Sequence, residues 1–440
     1  MAIKLQLVSH ASVLIETEGL GILTDPWFDK GAFNNSWTLH PGASVPDDLF
    51  ERTTHLWVSH EHPDHFHVPT LRGLPEEFKA RVTVLFQRIS SRKMVTAFQR
   101  FGFPNVVELE HRQLTSIAPG VSVYVYQVGQ MDSCLIVEAE GTRIANVNDA
   151  AVTDHDTKMI REDVGACDVV LNQFSYAGYD GTPDPATILP SKAQRILDSM
   201  VRVHEGLDAR ATIPFASFVR FSAPDNIHLN AHINTPSDVV RRFDQAGLKV
   251  IPLYPGDAWT VGETVDSERA LARFDEVFAG VESLPPTPPV RATRDEISAA
   301  FEKLRVRIDD LFPPVLLRPL QPVVVDIPDL EERVRFHVGS GQLEWGVPAA
   351  PDLVINSQPL CFAFAHPFGF QTLGVSGRYQ LLKNRSNWHR HRILFALQNA
   401  ELGLRPKHLF TRETFRFLWS RRQGALQQVR HRLSQMSQGF

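Results

Sequence analysis

The chain has 440 residues and a formal net charge of −5, a length generous for one domain and comfortable for two, with an acidity that gives no global reason to expect a nucleic-acid partner. Its three cysteines, Cys134, Cys167 and Cys361, stand far apart, which argues against a disulfide framework, a cysteine-rich zinc site and a cysteine-ligated iron–sulfur cluster. They read as reduced thiols, residues 1–9 lack the features of a signal peptide, and no run approaches the ~18 apolar residues of a membrane-crossing helix, so a cytoplasmic protein with no membrane partner is expected.

Residues 3–8 alternate between apolar and polar, which predicts a strand. Residues 12–16 and 21–24 are apolar runs split by Glu18-Gly19 and read as a hairpin. Residues 54–59 form a buried strand pattern that runs straight into a histidine cluster. Strand patterns continue at 82–86, 121–128, 133–138, 143–147, 169–171 and 248–253, with helical patterns at 90–101, 157–164 and 191–205. Interleaving of this kind suggests two sheets covered by helices. The run Ser283-Leu-Pro-Pro-Thr-Pro-Pro-Val reads as a stiff linker, because proline fixes φ and removes backbone donors. The expected division is therefore a domain over 1–282, a linker over 283–290 and a smaller α+β domain over 291–440. The second domain is expected to hold a helix at 295–311, strands near 322–326, 333–338, 342–346 and 359–364, and basic helices near 386–402 and 411–436. Its basic helix faces read as solvated.

The segment Ser59-His60-Glu61-His62-Pro63-Asp64-His65 concentrates imidazoles and a carboxylate at a strand end. His60 and His62, two apart, face the same way in extended backbone. Asp64 and His65 follow in the turn and can serve a second position. Such nitrogen and oxygen donors suit zinc, iron or manganese. Asp149 ends the apolar run Ile144-Ala-Asn-Val-Asn-Asp, where a carboxylate can reach a metal above a sheet and even bridge two. Asp25, ending Gly21-Ile-Leu-Thr-Asp, reads as the orienter of a histidine ligand.

These motifs, with His10-Ala-Ser-Val-Leu-Ile-Glu and Leu23-Thr-Asp-Pro-Trp-Phe, resemble the metallo-β-lactamase superfamily over about residues 1–262. The segments Asp25-Pro-Trp-Phe, Gly31-Ala-Phe, Trp37, Met131-Asp-Ser-Cys-Leu-Ile-Val-Glu, Pro214-Phe-Ala-Ser-Phe-Val and Asn234-Thr-Pro are similar to the lactamase-like portion of CMP-N-acetylneuraminate hydroxylases. The resemblance implies an αββα sandwich with a metal site at the sheet edges. Two histidines customary in that family are absent, with Val128 and Ala223 in their places. Replacement ligands are sought in His228, His232 or His155, with His228 carried as a candidate ligand. Those hydroxylases also bear a Rieske domain, whose Cys/His pairs this chain lacks.

The leading expectation is a hydrolase acting on a small molecule, with one or two zinc or iron ions held by His60, His62, Asp64, His65, Asp149 and His228. A metal-activated water is its nucleophile, Asp64 or Asp149 holds or deprotonates that water, and His10 contacts substrate. The alternative is an iron-dependent oxygenase, which requires a redox partner. A third reading is a binding protein that has lost catalysis. Residues 359–379, an apolar and aromatic run, are expected to form a strand pair, weakly similar to the closing strands of sterol-carrier-like domains or simply part of a core sheet.

Overall fold

The structure, a computed structural model, describes residues 3–89, 91–129, 131–179, 181–383 and 385–396. The chain divides into two compact units. The first comprises residues up to 177, 185–222 and 227–286, and the second comprises 178–184, 223–226 and the chain from 287 onward. Only the last crossing between the units, at 286/287, lies in the proline-rich run, while 178–184 and 223–226, expected in the first domain, fall in the second unit.

Two sheets make up the first unit. One has seven strands in the order Ala258–Thr260, Lys4–Leu7, Val13–Thr17, Leu20–Thr24, His55–Trp57, Thr83–Gln87 and Asn105–Leu109. It is antiparallel up to Leu20–Thr24 and parallel from there on. The other has six, in the order Ala211–Phe215, Val169–Gln173, Thr142–Asn148, Asp132–Ala139, Val121–Val128 and Leu114–Ala118.

The two-residue period of a strand sorts the side chains. Leu5, Leu7, Val13, Ile15 and Ile22 join Val123, Val125, Leu135, Val137, Leu171 and Ile213 in one core shared by the two sheets. The alternate residues Leu14, Leu23, Leu56, Val84 and Phe86 pack with Phe78, Met94 and Phe98, from the helices Glu76–Arg81 and Lys93–Arg100. On the second sheet, Tyr124, Ile136, Ala145 and Val170 pack with Ile160, Val164 and Val203, from the helices Asp154–Val164 and Pro185–Gly206. Both sheets are therefore buried on both faces, which is the αββα sandwich expected from the sequence. Full burial of one such aliphatic or aromatic side chain stabilises the fold by roughly 1.5–3 kcal/mol.

Some elements differ from expectation. The run 248–253 forms only an isolated parallel bridge, Thr212 with Val250. Pro252 lacks the amide that would continue the ladder. The strands Asn105–Leu109 and Leu114–Ala118 were not anticipated, because their mixed exposure gives a weak alternation.

The second unit carries a five-stranded sheet in the order Gln342–Trp345, Glu332–His337, Val323–Ile327, Leu353–Val354 and Gln380–Leu381. The helix Arg294–Leu311 begins with a capping box in which Thr293 and Glu296 exchange hydrogen bonds. The strand expected over 359–364 is instead the helix Ser357–Ala365, followed by the helix Gly369–Ser376. Leu360, Ala363 and Phe364 stand at the helical spacing i, i+3, i+4 and enter the core with Phe301 and Leu304. A short apolar run has no period of its own, and the core it meets decides its form. Trp388 and Phe395 of the helix Arg385–Ala396 also enter this core. The helix expected over 411–436, and most of the basic residues assigned to the chain's end, lie outside the described residues. Among the described residues no helix is long and apolar enough to cross a membrane.

Candidate metal centre

The strands Leu20–Thr24 and His55–Trp57 are parallel neighbours, with Thr24 opposite Trp57. That register brings Asp25 beside Ser59, each just beyond its strand. The Asp25 carboxylate accepts from the Ser59 amide at 2.7 Å, from Ser59 Oγ at 2.8 Å and from His65 Nδ1 at 2.8 Å. Asp25 is fully buried, and its φ of 35° lies in the left-handed region that a non-glycine residue occupies only when its surroundings hold it there.

These bonds fix tautomers. The one Ser59 hydroxyl proton goes to Asp25, so at 2.9 Å Ser59 Oγ accepts from His60 Nδ1. His65 donates its Nδ1 proton to Asp25. In the neutral imidazoles both Nε2 atoms are thereby left as acceptors, that of His60 facing His62 Nδ1 at 2.8 Å.

The second sheet supplies the carboxylates. Strand Asp132–Ala139 is antiparallel to Thr142–Asn148, with Leu135 opposite Asn146. Continued to the strand ends, that register sets Asp132 near Asp149. Asn148 secures this end by donating to Ser133 O at 2.9 Å and accepting from the Asp149 amide at 2.7 Å.

Three groups of donor atoms result, each with its atoms within 4.8 Å of one another. They are His60, His62 and Asp132; His10, Asp64 and His65; and His60, His65 and Asp149. Asp149 connects the other two, with Oδ1 3.3 Å from His65 Nε2 and Oδ2 3.9 Å from His60 Nε2. Asp64 Oδ2 lies 3.3 Å from His10 Nε2 and 3.5 Å from His65 Nε2. His60 Nε2 is 3.9 Å from Asp132 Oδ1.

The electrostatics are those of a site built around positive charge. Burial favours the neutral form of Asp149, yet the His65 and His60 imidazoles outweigh it and hold this carboxyl well below the usual range. Burial likewise opposes a charge on His65, but Asp149, Asp64 and Asp25 overcome it and raise that imidazole. Burial pushes His60 and His62 down, and it pushes Asp132 up to about 6.

Whether a metal fits is answered by buried atoms that face one another without a well-aligned hydrogen bond. Both ring nitrogens of His10, Asp64 Oδ1, His65 Nε2 and Asp149 Oδ1 are buried without a hydrogen bond. Leaving several such atoms unpaired in one place is costly. A cation shared among lone pairs that face one another removes that cost, and imidazole with carboxylate is a donor set for first-row transition metals.

Of the residues singled out in the sequence, His10, His60, His62, Asp64, His65 and Asp149 meet in these groups, while His228 does not. It sits on the 3-10 turn Ile227–His232, and none of the three groups contains it. Val128, in the place of a customary histidine, is the cross-strand partner of Asp132. It packs with Tyr124, Tyr126 and Cys134 on the helix-covered face of its sheet. The residue that sequence reasoning missed is Asp132. Its signal was present in Met131-Asp-Ser-Cys, but only strand pairing shows that the carboxylate stands opposite Asp149.

The β-lactamase superfamily domain matches residues 4–171. Over those residues the chain is similar to β-lactamase superfamily domains. A protein of Mycobacterium tuberculosis with the provisional name Rieske 2Fe-2S iron-sulfur protein is 27% identical over 402 residues, covering 79% of this chain and 76% of that protein. The cytidine monophosphate-N-acetylneuraminic acid hydroxylase of Danio rerio is 24% identical over 279 residues, covering 58% of this chain and 45% of the hydroxylase. Among solved structures, CmlA, a diiron beta-hydroxylase from Streptomyces venezuelae, aligns with a TM-score of 0.41 at 16% identity, over 59% of this chain and 54% of CmlA. An isothiocyanate hydrolase from Delia radicum gut bacteria aligns with a TM-score of 0.43 at 15% identity, over 59% of this chain and 99% of the hydrolase.

Proposed function

We propose that the first unit is a dinuclear iron-dependent oxygenase that hydroxylates a small-molecule substrate. The observation that carries this reading is the donor set. One position has His60, His62 and Asp132, the other has His10, His65 and Asp64, and Asp149 faces both. Two imidazoles with carboxylates, in place of a third imidazole, is the pattern suited to non-haem iron. The likeness to a hydroxylase over 58% of the chain supports it. When bound, the metal supplies the redox chemistry and the Lewis acidity. The chain's own part is to orient and to insulate. Asp25 holds His65 and Ser59 holds His60 in fixed tautomers, and Asn148 sets the backbone at Asp149. Trp27 stands edge-on to His10 with ring centroids 5.5 Å apart, and Phe33 stands 6.1 Å from His62, so aromatic walls limit water at the centre. An oxygenase draws electrons from a donor. Cys134, Cys167 and Cys361 lie on separate elements, with Cys134 and Cys167 buried, so a partner protein is the proposed source.

The same cysteines favour a second reading, metal-dependent hydrolysis, which needs no electron carrier. In it Asp64, its Oδ1 buried and without a hydrogen bond, holds or deprotonates the attacking water.

Isotope labelling separates the two. The iron-loaded protein with a chemical reductant is incubated with a metabolite extract, once under ¹⁸O₂ and once in H₂¹⁸O. A product carrying one oxygen from dioxygen is expected. Label arriving only from water would establish hydrolysis instead, and a metabolite retained unchanged would indicate a binding protein.

A further inference from the structure

Gln87 is the last residue of strand Thr83–Gln87 and is 1% exposed. Its side-chain amide donates to two backbone carbonyls, Ser59 O at 3.1 Å and Met131 O. Two acceptors fix which end of the amide is nitrogen. Each carbonyl immediately precedes a residue of one donor group, Ser59 before His60 and Met131 before Asp132. The two carbonyls belong to opposite sides of the sandwich, since Ser59 follows a strand of the seven-stranded sheet and Met131 precedes a strand of the six-stranded one. Ser59 O also accepts from Ser133 Oγ at 2.6 Å, a second tie between the sheets.

We infer that Gln87 is a positioning residue that sets the separation of His60 from Asp132, and with it the affinity of the metal position formed by His60, His62 and Asp132. This rests on the reading of the site as a metal centre. The physical reason is division of labour. Asp25 and Asn148 hold His65 and Asp149 by bonds that do not involve Gln87. The pair drawn from opposite sheets depends on side-chain ties, because each sheet's backbone ladder orders only its own strands. A side chain without donors at position 87 leaves Met131 O without this bond and Ser59 O with one tie instead of two. The Asp132 end then moves away from His60, while the position of His10, Asp64 and His65 stays intact.

The test is titration of the full-length protein with Co²⁺, following visible d–d absorption and counting bound ions by equilibrium dialysis. The variants are Gln87→Met, which keeps the shape and loses the donors, and Ser133→Ala, which removes only the other tie. Val170→Ala, on the helix-covered face, serves as a control for general destabilisation. Gln87→Met is expected to weaken one of the two ions by about 10–100-fold, the range typical for loss of a group that orients a ligand. The second ion keeps its affinity and its spectrum. Ser133→Ala should weaken the same ion by less, and Val170→Ala should lower Tm with both ions bound as in the parent. If Gln87→Met binds both ions as the parent does, or weakens both equally, the positioning role is overturned and the metal reading stands. If the parent binds no cobalt, the metal reading fails and this inference falls with it. Should Gln87→Met not fold, Ser133→Ala alone decides, since uniform or absent weakening there contradicts the role.

Discussion

Asp149→Ala is expected to empty both metal positions at once, whereas Asp132→Ala and His10→Ala should each empty at most one. The difference follows from placement. Asp149 presents Oδ1 to His65 at 3.3 Å and Oδ2 to His60 at 3.9 Å, and besides the group they share with Asp149 these imidazoles each belong to a different one of the other two. Asp132 faces only the first group and His10 only the second. Metal binding requires deprotonated ligands that are jointly oriented, and a carboxylate shared by two ions would also offset their mutual repulsion. Elemental analysis of the three variants beside the parent, with circular dichroism to confirm the fold, measures this. Asp149→Ala protein that retains an ion as tightly as Asp132→Ala protein does would show that Asp149 is not shared.

The second large effect concerns stability. Asp25→Ala is expected to destabilise the first unit by about 3–5 kcal/mol, the cost typical of removing one partner from a buried charged pair. The fully buried carboxylate accepts three hydrogen bonds, from the Ser59 amide, Ser59 Oγ and His65 Nδ1. Truncation strands those donors away from water, each at a cost of about 1–3 kcal/mol, although the Ser59 hydroxyl can turn to another acceptor. It also leaves a residue without the compensating bonds at a φ of 35°. Urea unfolding monitored by tryptophan fluorescence gives the number. A loss below about 1 kcal/mol would mean that the carboxylate adds only what an ordinary hydrogen bond does. His65, freed at Nδ1, should also lose its fixed tautomer, so residual metal binding in this variant should weaken as well.

Much of the centre was legible in the sequence because its parts lie close along the chain. His60, His62, Asp64 and His65 fall within six consecutive positions, and a strand pattern leading into them already says that they share one end of a sheet. Asp25 and Asp149 were legible for a similar reason, as carboxylates that terminate apolar runs. Asp132 was not, because it starts a strand and its meaning comes from a partner strand whose register no spacing reveals. His10 was assigned to substrate, and its membership in the group with Asp64 and His65 depends on the turn between strands Lys4–Leu7 and Val13–Thr17 folding over the ligand loop. His228, carried from the sequence as a candidate ligand, stands in none of the three donor groups, while His10 and Asp132 each stand in one.

The fold shows the same division. The longer strands, such as Val121–Val128 and Asp132–Ala139, are visible in the sequence as runs rich in apolar and β-branched residues, buried on both faces. The apolar run ending in Phe364 carries no alternation, and its helical form follows from packing against Arg294–Leu311. Length and composition thus identify the longer strands, while a short apolar run stays undecided until its packing is known.

The proposed dinuclear centre is tested most directly by elemental analysis of the full-length protein purified without added metal, together with anomalous diffraction at the iron edge. Two metal ions per chain are expected, predominantly iron, with scattering peaks between His60 and His62 on one side and Asp64 and His65 on the other. A folded protein that carries no metal, or a single ion remote from Asp149, would contradict it.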